Sequence, residues 1–565
     1  MKQKVTKAIA LVCAAVAMGS TFAACQPGSG GILGGQSMID RNKTQLYVGN
    51  YDGGFGSDWL DTYKVAFEEM YKEVSFEEGK KGVEVVLVKD KVAFYSGNLI
   101  QTIDASNIDI IFTEEFAYYD YVKPATGGAS YLYDITEWVN ETLPGETRSI
   151  ADKMNDRQKT YYTGYDGQYY GVPHFQSLRG LIYDVDLFNE NSLFIKADGS
   201  ISGKSTDTDL STGPDGKAGT YDDGLPATYE QMWEWCDFVS TYKNITPFCW
   251  TGAYKDDYSK YLESALIADT LGSNAAQFFY SQSANTEVEV DLIRSWNADG
   301  TPVITRETIS RENSLDMCMA AAGYYMLDFW KQILDNNWYY NMSLNTLTTH
   351  DIIHYDYLRS RFDDSIQPIA FMIEGAWWEH ESEYIFEDLA KTYENASRME
   401  RTFGYLGLPK ARQEYVGKDM TLVDANNSIC VVNANIKGRP EEQIAKLFFQ
   451  FIHSDENIQL FNLLTGIARD FDVNLTSEQK ATLSPFCKQL TEVRENAEGL
   501  IVYAHENSYE DKKYAKLNAS GVDFRSAVNL SGDVWYGVPL SVFTTDGTKN
   551  MTAKEYFKNV YNKYY

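Results

Sequence analysis

Between Leu46 and Phe112 the chain reads LYVGNYDGGFG (46–56), then a segment with Trp59, Tyr63, Phe67, Met70 and Tyr71 at helical spacing, then VEVVLV (83–88) and IDIIF (108–112). Short β-branched, apolar runs that alternate with an amphipathic helical pattern predict parallel strands buried on both faces, because crossover helices must cover the sheet. The pattern is α/β. It returns downstream. Thr228 with Gln231, after Pro226, predicts a capping box opening a helix with Met232, Trp235, Cys236, Val239 and Tyr242 on one stripe. Pro440 suits a first helical turn, followed by Ile444, Leu447, Phe448, Phe451 and Ile452 at core-facing spacing. No internal repeat is evident.

The chain has 565 residues, enough for two large or three small domains at roughly 150 residues each. Asp and Glu number 80 against 50 Lys and Arg, a formal charge of −30, which repels phosphate backbones and anionic headgroups. No nucleic-acid partner is expected. The 41 Tyr and 11 Trp beside six His point either to flat apolar ligands such as sugar rings or to large cores.

The amino terminus predicts export. Lys2, Lys4 and Lys7 precede an apolar run from Ala8 to Met18, then the small residues Gly19, Ser20, Ala23 and Ala24 before Cys25. That run is too short to span a bilayer core of about 30 Å, so it reads as a signal h-region covering residues 1–24. Phe22-Ala23-Ala24-Cys25 resembles a lipoprotein lipobox, with Phe where Leu is usual; ordinary signal cleavage is the alternative. The Gly/Ser-rich residues 25–40 read as a tether holding a body to the outer face of the cytoplasmic membrane through Cys25. Beyond Cys25 stand Cys236, Cys249, Cys318, Cys430 and Cys487, dispersed and without a CxxC. Buried thiols are expected, with a Cys236–Cys249 disulfide as the alternative.

Several blocks then occur in a telling order: LYVGNYDGGFG, IDIIF, Tyr170-Gly171-Val172-Pro173-His174, Leu181 to Phe188 (LIYDVDLF), Leu225-Pro226-Ala227-Thr228-Tyr229-Glu230, Ala370 to Trp377 (AFMIEGAW), Tyr405-Leu406-Gly407-Leu408-Pro409, Ile429 to Val432, and a helix ending Phe451-Ile452-His453-Ser454. This series resembles the sugar-binding class (family 1) of bacterial extracellular solute-binding proteins, the lipoprotein-type receptors of ABC importers. The resemblance implies a two-lobed α/β fold of the type II periplasmic-binding-protein kind, with hinge strands and a ligand cleft between the lobes. Lobe one would hold 41–172 and about 410–475. Lobe two would hold 173–409 and about 476–565, with an acidic insertion at 200–224.

A sugar offers C–H faces and a hydroxyl rim, so aromatic platforms and planar polar groups are needed. By the resemblance, lobe one supplies Tyr51, Asp52, Phe55, Trp59, Glu114 and Glu115 from loops at strand carboxyl ends. The hinge supplies His174, Gln176 and Ser177. Lobe two supplies Trp250, Trp377 and Trp378, with Asn426, Asn427, Trp535 and Tyr536 as later candidates. For each Trp, core packing is the competing reading. Asp207, Asp209, Asp215, Asp222 and Asp223 lie among turn glycines, which suits a structural Ca2+, although the spacing is not that of an EF-hand and a solvated acidic turn fits too.

The sequence thus points to a monomeric receptor that binds a carbohydrate, an oligosaccharide, and passes it to ABC permease subunits. It would not be an enzyme and would need no organic cofactor. The rival is a secreted glycoside hydrolase working through a carboxylate pair drawn from Glu114, Glu115, Glu374 and Glu379. His350-Asp351-Ile352-Ile353-His354 lacks the Glu of a zinc-protease HExxH and reads as a polar helix face.

Overall fold

A computed structural model describes residues 39–114, 121–122, 129–163, 167–281, 287–424, 428–497, 499–502 and 536–564. Cys25, Glu115, Asn426, Asn427 and Trp535 lie outside the described residues. The chain divides into two compact units: unit 1 takes Met1–His174, Ser428–Leu464 and Ala468–Asn474, and unit 2 takes Phe175–Asn427, Thr465–Ile467 and Leu475–Tyr565. The strands of the main sheets are, in chain order, β1 (Thr44–Asn50), β2 (Val83–Lys89), β3 (Ile110–Thr113), β4 (Gly171–Pro173), β5 (Arg179–Asp184), β6 (Thr246–Cys249), β7 (Ile369–Gly375), β8 (Phe403–Tyr405) and β9 (Ile429–Val432).

Unit 1 is built on a sheet of order β2-β1-β3-β9-β4, with β1 parallel to β2 and β3, and β9 antiparallel to both of its neighbours. Every side chain of β3 and β9 is buried, as their unbroken apolar runs require. Helix α1 (Trp59–Tyr71) buries Trp59, Leu60, Tyr63 and Phe67. Helix α4 (Glu441–Ile452) buries Ile444, Ala445, Phe448, Phe449 and Ile452. The two helices meet edge to face through Phe67 and Phe448, ring centroids 5.0 Å apart. Met70, on the predicted stripe of α1, is instead 45 % exposed, so the helix leaves the core in its last turn.

Unit 2 has a sheet of order β8-β5-β7-β6, in which β7 is parallel to β6 and antiparallel to β5. All seven residues of β7 are buried. The helix Tyr229–Phe238 begins where the capping pattern places it, with the Thr228 hydroxyl accepting from the Gln231 amide N–H at 3.3 Å. The Gln231 side chain accepts from Ala227 N–H rather than from Thr228, and the exposed Tyr242 falls off the stripe because a π-turn at Val239–Lys243 changes the helical phase. Helices α2 (Lys255–Leu271) and α3 (Ala321–Asp335) complete the core.

Residues 410–427, read from sequence as part of lobe one, group with unit 2. Two contacts explain it. Thr421–Asp424 pairs in parallel with Gly499–Val502, and the buried Lys410 ammonium binds the buried Asp269 carboxylate at 2.8 Å. All five described cysteines are buried free thiols.

Candidate functional site

In unit 2, β6 and β7 run parallel, so their carboxyl ends reach the same sheet edge, the place where open α/β sheets bind ligands. The chain leaving β7 turns sharply, with Ala376 N–H bonded to Leu178 O at 2.8 Å, and Trp377 folds back over Gly375. Only glycine permits this. A Cβ on Gly375 would stand 2.1 Å from the indole Cη2. Tyr261, from α2 after β6, meets Trp377 edge-on with centroids 6.2 Å apart at 82°, and Tyr258 lies beside Tyr261 at 4.8 Å. Arg179 opens β5 opposite Gly375 in the antiparallel register, and its guanidinium carbon lies 3.8 Å from the Tyr261 ring centroid. Arg179 thus lies over one face of the half-buried Tyr261, and Trp377, only 8 % exposed, meets that ring edge-on. Gly252 does the same job after β6, where a Cβ would fall 2.3 Å from the Asn345 carbonyl oxygen.

Beneath Trp377 lies a buried polar chain. Glu374 Oε2 bonds His354 Nε2 at 3.0 Å, His354 Nδ1 bonds the Ser382 hydroxyl at 2.9 Å, and Glu374 Oε1 accepts from Gly375 N–H at 2.8 Å. Burial works against the imidazolium of His354, yet the hydrogen bond and charge of Glu374 hold its pKa above the ordinary histidine value. The second histidine of HDIIH is therefore interior, held by a β7 carboxylate, while the half-buried His350 lies beside Asp351. Trp378, 0 % exposed, packs among Phe403, Phe486 and Tyr357, and Trp250, also 0 % exposed, packs against Trp330 and Tyr339. Both are core residues, so neither presents a ring face to a ligand. Tyr536 is likewise interior: its hydroxyl donates to Cys318 O at 2.9 Å and its ring stacks on Phe557. Ser177 is buried and Gln176 half-buried.

Unit 1 has its own edge. Asn50 ends β1, and its side-chain amide donates to Tyr51 O and to Ser57 Oγ, which in turn donates to the exposed Asp52 carboxylate at 2.5 Å. Tyr51 lies 6.4 Å from Tyr95, a 45 % exposed ring that the sequence reading missed, and Tyr95 bridges to the half-buried Glu114 after β3. Phe55, Trp59 and His174 do not join this edge. They pack with Phe112 and Phe461 in a buried aromatic cluster, Trp59 only 3 % exposed. Burial, with Arg469 and then His453 nearby, pushes the His174 pKa well below the ordinary value. Its backbone carbonyl accepts from Arg469 Nε at 3.1 Å.

The acidic segment 206–224 splits in two. Asp207 and Asp209 lie on Lys196, at 3.5 and 3.1 Å. Asp215, Asp222 and Asp223 belong to a second knot, in which Asp222 accepts from Asp215 N–H and the Thr220 hydroxyl, Asp215 from Lys217 N–H, and Asp223 from Gly219 N–H. Most of these carboxylate oxygens accept from local donors, whereas the buried Asp223 Oδ1 has no hydrogen-bond partner among the described residues. Among the described residues no group of three or more His, Cys, Asp or Glu is placed to hold a metal. Two of the four carboxylates of the hydrolase reading are engaged within the fold: Glu374 as above, and the buried Glu379 by Arg398 at 3.1 Å and the Ser484 hydroxyl at 2.6 Å.

No family model and no curated protein matches the sequence. Solved structures do. A probable secreted solute-binding lipoprotein from Streptomyces coelicolor aligns at a TM-score of 0.51 and 12% identity over 93% of this chain and 100% of that one. A chitin oligosaccharide binding protein aligns at 0.50 and 14% identity over 93% and 99%. The bacterial solute receptor AcbH, described as preferring β-D-galactopyranose exclusively, aligns at 0.51 and 10% identity over 92% and 98%. At such identities the likeness is one of fold, and that fold is the α/β, periplasmic-binding-protein-like fold of the solute-binding proteins.

Proposed function

We propose that the protein is an extracellular receptor that binds a carbohydrate, an oligosaccharide, and delivers it to the permease of an ABC transporter without breaking a bond. The observation that carries this reading is the Trp377–Tyr261–Arg179 cluster at the carboxyl ends of β6 and β7, planar groups of the kind that pack on sugar C–H faces, with Tyr261 and Arg179 half-buried and Trp377 8 % exposed. The fold supports it, as does the sugar chemistry named for the chitin oligosaccharide binding protein and for AcbH. The hydrolase reading finds no support, because Glu374 and Glu379 are buried and hydrogen-bonded within the fold. Under the same proposal, Cys25 carries the lipid anchor, the chain acts as a monomer on the outer face of the membrane, and the transporter's ATPase is another chain.

The test is calorimetry against a panel of defined oligosaccharides, with chromatography of the recovered glycan. Saturable binding and an unchanged glycan are expected; shortened products without a stable complex would overturn the receptor reading in favour of the hydrolase.

A further inference from the structure

In unit 2, Arg179 stands beside Tyr261 with no carboxylate partner among the described residues. Arg401 binds the Asp184 carboxylate and Arg398 the Glu379 carboxylate, as is usual for guanidinium groups taken partly out of water. Arg179 differs. It is half-buried, its Nε is shielded from solvent and without a hydrogen-bond partner, and among the described residues no carboxylate reaches its guanidinium. Its position is nevertheless fixed on three sides: by the antiparallel register with Gly375, by the Tyr261 face at 3.8 Å, and by the Tyr405 hydroxyl donating to its own carbonyl at 2.6 Å. A neutral sugar presents only hydroxyls, which leave the desolvation cost of such a cation largely uncompensated. An oxyanion compensates it, and the planar fork suits a carboxylate or sulfate bidentately.

Resting on the receptor reading above, we infer that the ligand is an anionic oligosaccharide, with a carboxylate or sulfate on a sugar ring set against Arg179 beside Tyr261 and Trp377. The net charge of −30 opposes any anion at long range, so such a ligand depends on a local, pre-placed cation.

The experiment compares, by calorimetry, oligogalacturonides, sulfated disaccharides, and neutral xylo- and chitooligosaccharides of matched length on the wild-type chain, on Arg179→Gln and on Arg179→Lys. One anionic class is expected to bind at least about tenfold tighter than its neutral counterpart, a preference lost in Arg179→Gln and partly kept in Arg179→Lys. Preference for the uronate or for the sulfate arm identifies the oxyanion. Equal or tighter binding of neutral glycans, unaffected in a folded Arg179→Gln, overturns this inference and leaves the receptor reading standing. Failure of the folded protein to bind any glycan of either charge overturns both.

Discussion

A methyl group added at Gly375 would occupy the space of the Trp377 indole, so the two residues form one device although only the tryptophan is conspicuous in the sequence. Gly375→Ala should displace the ring and weaken glycan binding about tenfold, close to the effect of Trp377→Ala, while circular dichroism and the melting temperature stay near wild type. Undiminished affinity in both folded variants would remove Trp377 from the site. Trp378 and Trp250 should behave in the opposite way. Each fills a closed aromatic core, and truncation to Ala should cost about 3–5 kcal/mol in urea unfolding. The three tryptophans share a residue type and a sequence neighbourhood of apolar strand ends. What separates them is which side of the turn each ring falls on, and that depends on backbone torsions after β6 and β7. Tyr261 and Arg179 were invisible for the same reason: Tyr261 sits inside a helix that reads as ordinary core, and Arg179 acquires meaning only through the register that sets it opposite Gly375.

Elements were more legible. The apolar runs of β1, β2, β3, β7 and β9 and the stripes of α1 and α4 follow from periodicity, since strands buried on two faces and helices buried on one have distinct patterns. The loop 213–224 was legible as acidic and turn-rich but not in its pairings. Within it Asp222 is 1 % exposed, and burial, with Asp215 adding its charge, raises its carboxyl from 3.8 to about 7. A carboxyl whose folded pKa is raised contributes most below the unfolded value and loses that contribution as pH rises through the folded one. Wild-type melting temperature should therefore fall between about pH 4 and pH 7 through this group. Asp222→Asn, which keeps a neutral group of the same shape, should melt close to wild type near pH 4 and several degrees above it at pH 8, measured by differential scanning fluorimetry. A variant that melts below wild type at pH 8 would show that the ionised carboxylate is stabilising.

At the scale of the molecule, a ligand that binds only the folded chain should raise its stability by about 2.7 kcal/mol at a hundredfold excess over Kd, visible as a concentration-dependent melting temperature. The buried thiols make a second global readout. Burial pushes Cys318 and Cys430 up to about 12, so both, with Cys236, Cys249 and Cys487, should resist iodoacetamide until denaturant is added; rapid native alkylation would show that the core opens. The sequence by itself determined the α/β class and the main strands, because these rest on local periodicity. Tertiary structure alone decided which aromatics are core and which form the surface at the ends of β6 and β7, and that residues 410–427 group with unit 2. It also placed Arg179 beside Tyr261 with no carboxylate partner among the described residues. The physical reason is one of range: burial pattern is written along the chain every two or three to four residues, whereas a site is made by cross-strand register and long-range packing, where Arg179 and Gly375 meet although nearly two hundred positions separate them.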